Sequence, residues 1–123
     1  MQLKDEITTL AQLKNLSANF TKERDWEQFH APKNLCMAMA AEVGELMEHY
    51  LWLTVEESSS LTANPDKKTQ IEEELADVFL FSLQFANMTG IDIAAAIEAK
   101  VAKNASKYPV SKAKGRADKY TDL

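Results

Sequence analysis

Two short acidic runs raise the question of chemistry. Glu42 and Glu45 lie in MAMAAEVGELMEHYLWL (37–53), and Glu74 and Asp77 lie in IEEELADVFLF (71–81). Residues three apart share a helix face, so each run presents a pair of carboxylates, and Glu48 continues the first row. Apolar residues flank both pairs, and neither has a lysine or arginine four positions away. Carboxylates packed ~4–6 Å apart repel and raise one another's pKa unless a cation sits among them. Oxygen ligands without Cys or His suit Mg²⁺, or Mn²⁺ in its place, rather than Zn²⁺. Mg²⁺ held this way keeps waters and takes substrate phosphates as further ligands. The competing account is two rows of solvated surface acids, where most glutamates reside. A di-iron carboxylate bundle is disfavoured because it asks for Glu-x-x-His. Here His49 falls four after Glu45 and one after Glu48, and the later run has no histidine. Gly44, inside the first run, costs about 1 kcal/mol of helix propensity relative to Ala, which suggests close approach by another group.

Other residues have chemistry to offer around such a site. Trp26, Phe29 and His30 cluster before the first acidic run, and Trp52 ends it. Tryptophans at such boundaries serve as core anchors or as faces on which a flat base stacks. His30 reads either as a hydrogen-bonded structural histidine or as a ligand contact. Lys100, Lys103 and Lys107 recur at helical steps, giving a solvated face or a phosphate-binding row. No Walker loop, dinucleotide fingerprint or Ser/His/Asp pattern is present.

Four helices must position these groups. The first is predicted over Leu3–Arg24, where Ile7, Leu10, Leu13, Leu16 and Phe20 follow three- and four-residue steps. DWEQFHAPKN (25–34) breaks it, and Pro32 suits the first turn of a second helix reaching Leu53. A polar connector, TVEESSSLTAN, leads to Asn64-Pro65, an N-cap and first-turn proline for a third helix over Pro65–Met88. Gly90 suits its C′ position, and Asp92 can cap a fourth helix over Ile93–Ser106. Beyond Tyr108-Pro109 the polar tail is expected to be extended, ordered only against a partner. The second helix is apolar on too many faces for a lone small bundle, because Leu35, Met39, Val43, Leu46, Met47, Tyr50 and Leu51 surround its axis. Self-association, as a dimer or dimer of dimers, is the simplest way to cover the excess.

Composition sets the outer limits. The 123 residues contain 46% hydrophobic and 27% charged side chains but only three Gly and three Pro, which favours a few long helices over many strands. A net charge of −5 argues against general affinity for nucleic acid or anionic membrane. The longest apolar run falls short of a membrane span, and MQLKDEITTL lacks the apolar core of a signal peptide. Cys36 is the single cysteine, expected as a small buried hydrophobe in a reducing cytoplasm. Between Asn34 and Ala99, twelve acids face only Lys67 and Lys68. From Lys100 to Lys119, six lysines and Arg116 oppose Asp118 alone. An acidic middle followed by a basic end suits a cation-plus-polyanion site, or a solvated surface with a mobile tail.

From Phe20 onward the chain resembles the MazG-like, all-α nucleoside triphosphate pyrophosphohydrolases, most closely the dCTP pyrophosphatase branch. RDWEQFHAPKNL, EVGELMEHYLW, EEELADV, KVAKNASKYP and KYTDL look like its blocks, in its order. The resemblance implies an all-α, four-helix bundle-type catalytic domain over 1–108, with 109–123 as its basic tail, assembled as a homo-oligomer. It implies Mg²⁺ on Glu42, Glu45, Glu74 and Asp77, with catalysis at these acids. It further implies that Trp26, His30 and Trp52 hold the base, and that Lys100, Asn104 and Tyr108 reach phosphates or sugar, some from a neighbouring subunit. Phe81 falls among the substrate-binding positions, where members of that branch are expected to carry Tyr. Ala41 replaces one of the doubled glutamates of the broader family. The expected reaction releases monophosphate and pyrophosphate from a deoxynucleoside triphosphate, dCTP or a modified dCTP, as nucleotide-pool sanitation. The rival expectation is a non-catalytic nucleotide- or partner-binding helical oligomer.

Overall fold

The computed structural model describes residues 2–123, and among them every regular element is helical. The first long helix, α1, spans Leu10–Glu23. It starts seven residues later than the apolar periodicity suggests because Thr9 closes a capping box with Gln12. Upstream, the Thr8 amide donates to the Lys4 carbonyl at 2.9 Å, forming a separate turn. Helix α2, Pro32–Glu48, begins on its proline as expected and stops short of Leu53. Residues 49–53 continue as turns, with the Tyr50 amide donating to the Met47 carbonyl at 2.9 Å.

The connector predicted as a polar loop contains a one-turn helix, α3, Val55–Ser58, and a 3-10 turn at Leu61–Ala63. Thr54 and Glu57 form a second capping box there. Asn64 caps α4, Pro65–Thr89, its side chain accepting from the Asp66 and Lys67 amides at 3.0 and 3.1 Å. Gly90 ends α4 with φ +70°, a left-handed conformation that costs glycine little.

The chain forms two compact units, one running to Gly90 and the other comprising Ile91–Leu123. In the first, α2 and α4 make the main packing interface and α1 lies on α4. Leu35, Ile71, Leu83 and Ala86 are its buried apolar residues, with Ser17 and Thr21 buried among them. The Ser82 hydroxyl donates to Met39 Sδ at 3.2 Å, and Asn87 Nδ2 donates to the Lys14 carbonyl at 3.0 Å. These contacts join α4 to α2 and to α1. Cys36 is exposed rather than buried. Neighbours on a helix point about 100° apart, and Leu35 occupies the inward position.

In the second unit, α5 spans Ile93–Lys107, with Asp92 accepting from the Ala95 amide at 2.9 Å. The tail is not extended. Helix α6, Val110–Ala113, and a 3-10 turn at Tyr120–Asp122 order it. Tyr120 returns edge-on to Tyr108, ring centres 6.0 Å apart, under the Lys107 ammonium. No single helix among the described residues is long and apolar enough to cross a membrane.

Candidate active site

Packing of α2 against α4 brings the two acidic runs face to face. One carboxylate oxygen from each of Glu42, Glu45 and Glu74 lies within 4.8 Å of the others. Glu42 and Glu74 are half-buried, whereas Glu45 is exposed at the rim. Glu42 Oε2 and Glu74 Oε2 are buried oxygens without a hydrogen-bond partner. Burial pushes the Glu42 carboxyl up to about 7, helped by the adjoining Glu45 and by the charges of Asp77 and Glu74. Burial also raises Glu74, again reinforced by Glu45, while His49 opposes the shift.

Like-charged groups are crowded together here, with two of their oxygens desolvated and unpaired. A hard divalent cation fits it, because carboxylate oxygens are its preferred ligands and its charge removes the repulsion. Glu42, Glu45 and Glu74 could hold such an ion. Asp77, half-buried one turn beyond Glu74, flanks the trio closely enough for its charge to act on Glu42. Glu48 is exposed and lies outside the trio.

Within the protomer nothing approaches Gly44 closely. A methyl group built there meets nothing within 4 Å, so the helix interrupts its propensity without a packing reason inside the protomer. The structure adds His49 to the site, its Nε2 3.7 Å from Glu74 Oε1. Its signal was present in the sequence: His49 stands four residues after Glu45 and seven after Glu42, on the same helical face.

The aromatic residues take different places. Trp26 packs edge-on against Phe20, ring centres 5.8 Å apart, and Arg24 covers the other ring at 3.8 Å. Trp52 is 90% exposed, so neither tryptophan is a core anchor. Phe81 is half-buried one turn beyond Asp77 on α4, and His30 is half-buried beside a cavity between α1 and α4. Lys100 and Asn104 lie on α5, and Tyr108 is its C-cap, all in the second unit. Tyr108 is engaged there with Tyr120.

Residues 37–123 match the MazG-like family. The chain is 40% identical to dCTP pyrophosphatase 1 of Bos taurus and 38% identical to that of Homo sapiens. Each match spans 94% of this chain and 68% of the relative. A crystal structure of a pyrophosphatase from Archaeoglobus fulgidus superimposes with a TM-score of 0.77 at 29% identity, covering 88% of this chain and 99% of that one.

Proposed function

The chain belongs to the MazG-like family, in its dCTP pyrophosphatase branch, and we propose that this enzyme hydrolyses dCTP or a modified dCTP to the monophosphate and pyrophosphate. The observation that carries this reading is the carboxylate trio, with its two buried and unpartnered oxygens. Glu42, Glu45 and Glu74 are the proposed ligands of Mg²⁺ or Mn²⁺, with Asp77 completing the acidic set. When bound, the cation supplies charge neutralisation for the triphosphate and acidifies a water for attack on phosphorus.

The protein's own residues then have separate tasks. Glu42 and Glu74, fixed by burial between α2 and α4, hold the cation's position. Glu45 is exposed at the rim and accepts the proton of the attacking water. His49 lies against Glu74 and limits its movement, as outer partners of ligating carboxylates do. Trp26, His30, Trp52 and Phe81 are the proposed contacts to base and sugar. Lys100, Asn104 and Tyr108 are the proposed contacts to phosphates or sugar, some of them supplied by a neighbouring subunit. Positioning and charge neutralisation supply most of the rate in such a site, with little covalent chemistry needed.

A homo-oligomer is part of the proposal, supported by the apolar residues that α2 leaves exposed. Its proposed setting is the cytoplasm, which suits the exposed thiol of Cys36.

The decisive experiment incubates the purified protein with each deoxynucleoside triphosphate and Mg²⁺, resolving monophosphate from pyrophosphate. Turnover stopped by EDTA, and lowered at least ~100-fold in Glu45→Ala with the assembly unchanged, is the expected result. Metal-dependent binding without turnover would replace the enzyme reading with a binding module. Unchanged activity in Glu45→Ala would remove Glu45 from its assigned role.

A further inference from the structure

Among the described residues, one non-glycine residue has a left-handed backbone, and it lies in the turn that follows α1. Asp25 has φ +54°, a region that costs most side-chain-bearing residues roughly 1–2 kcal/mol and that Asp and Asn enter most readily. Two backbone hydrogen bonds depend on that reversal. The Asp25 amide donates to the Lys22 carbonyl at 3.1 Å, and the Trp26 amide reaches back to the Thr21 carbonyl at 3.0 Å. This is the paired ending of a Schellman turn, where glycine is the usual left-handed residue. The apolar contact that accompanies such turns is present too, as Trp26 packs edge-on against Phe20.

Glycine would satisfy this backbone without strain, so the carboxylate has a task of its own. Gln28 reveals it. Its Nε2 donates to the Asp25 carbonyl at 2.9 Å and to Asp25 Oδ2 at 3.2 Å, tying the loop across its ends with Trp26 inside. The Trp26 carbonyl accepts from the Phe29 amide at 2.9 Å, so its backbone is held from both directions. Phe20 is fixed in turn by Arg24, whose guanidinium covers the ring and whose Nη1 donates to the Phe20 carbonyl at 3.0 Å. Trp26 nonetheless stays 43% exposed. An indole anchored on one side and open on the other can receive a flat ring without first being ordered.

We propose that Asp25 and Gln28 are positioning residues, locking the turn after α1 so that the Trp26 indole is held in the orientation in which it meets the nucleotide. The inference rests on Trp26 as a substrate contact, proposed above, and adds the two polar residues that aim it. Their effect passes through Trp26 and needs no contact of their own with substrate. A mis-set indole loses stacking, worth about 1–3 kcal/mol per base, in the substrate complex and the transition state alike. Such a uniform loss raises KM and spares kcat.

The test measures kcat and KM for dCTP with Mg²⁺ in the full-length protein and in Gln28→Ala, Asp25→Ala and Asp25→Asn, each made also in a Trp26→Ala background. Gln28→Ala and Asp25→Ala should each raise KM about fivefold or more with kcat little changed. Asp25→Asn should keep the parent KM, because asparagine tolerates the left-handed backbone and retains a side-chain oxygen for Gln28. In the Trp26→Ala background the Gln28→Ala and Asp25→Ala effects on KM should vanish, the mark of residues that act through one another. A turn that matters only to folding would lower the melting temperature and leave KM alone. Active parent protein with KM unchanged in Gln28→Ala and Asp25→Ala, or with the same rises when Trp26 is absent, overturns the clamp and leaves hydrolysis intact. A parent that binds dCTP without turnover overturns hydrolysis alone, and dissociation constants across the same variants then decide the clamp. A parent that neither binds nor hydrolyses dCTP overturns both.

Discussion

Glu42 carries the largest electrostatic consequence of any single residue in the site. Burial, with Glu45 beside it, pushes its carboxyl up to about 7 from an ordinary value of 4.5. The folded, metal-free protein therefore holds a proton that the unfolded chain has released across this range. Its contribution to stability is fully present below about pH 4.5 and is lost as pH rises through about 7. Glu74, raised by the same causes, acts in the same direction. Removing the titration by Glu42→Gln isolates the effect. The melting temperature of the parent relative to this variant should fall between pH 5 and pH 8 in EDTA. Saturating Mg²⁺ should reverse that trend, since the cation competes with the proton and binds better as pH rises. Scanning calorimetry of both proteins across pH decides it, and parallel curves in EDTA would show that Glu42 titrates as an ordinary glutamate. The carboxylate pairs themselves were legible in the sequence because helical spacing fixes which side chains share a face. Burial of individual oxygens was not, since it depends on how α2 and α4 interlock.

At the scale of elements, local chemistry was the more legible part. Asn64-Pro65, Gly90 and Asp92 act where their residue types predict, because each satisfies orphan backbone groups at a helix end with its own atoms. The starts that apolar periodicity does not reveal are those set by reciprocal pairs. Thr9 with Gln12 and Thr54 with Glu57 cap helices where apolar periodicity alone suggests continuation or a loop. Gly44 is a related case. Its low helix propensity is evident from sequence, but the space around it is not, and that space is open. Substituting Gly44→Ala should therefore raise the unfolding free energy by about 1 kcal/mol, the difference in helix propensity between the two residues. Chemical denaturation of the apo protein measures this. Destabilisation would mean that a neighbouring chain packs against the bare backbone at this point.

The whole molecule poses a question of covering apolar surface. Val43, Met47 and Leu51 follow four-residue steps along α2 and the turn after it, with exposures of 41%, 57% and 59%. They edge a groove of about 510 Å³ that also includes Leu46, Tyr50, Ile71 and Leu75. A contiguous apolar patch of this kind is unusual on a monomer and normal at a subunit contact. It lies on the same two helices as the carboxylates, so a second copy docking there would also brace the α2–α4 pair that shapes the cation site. A stable contact between two copies needs to bury on the order of 1,200–2,000 Å² in total, and a charge at its centre is costly to desolvate. Met47→Glu places such a charge in the groove without touching any proposed ligand. Sedimentation equilibrium should show the parent protein as a dimer or larger at micromolar concentration and Met47→Glu shifted toward the monomer. Helical content should be kept while Mg²⁺-dependent turnover falls, because the carboxylate pairs lose their outer support. A parent that sediments as a monomer would show that the α2 face serves something other than self-association. A monomeric Met47→Glu with full activity would separate assembly from catalysis.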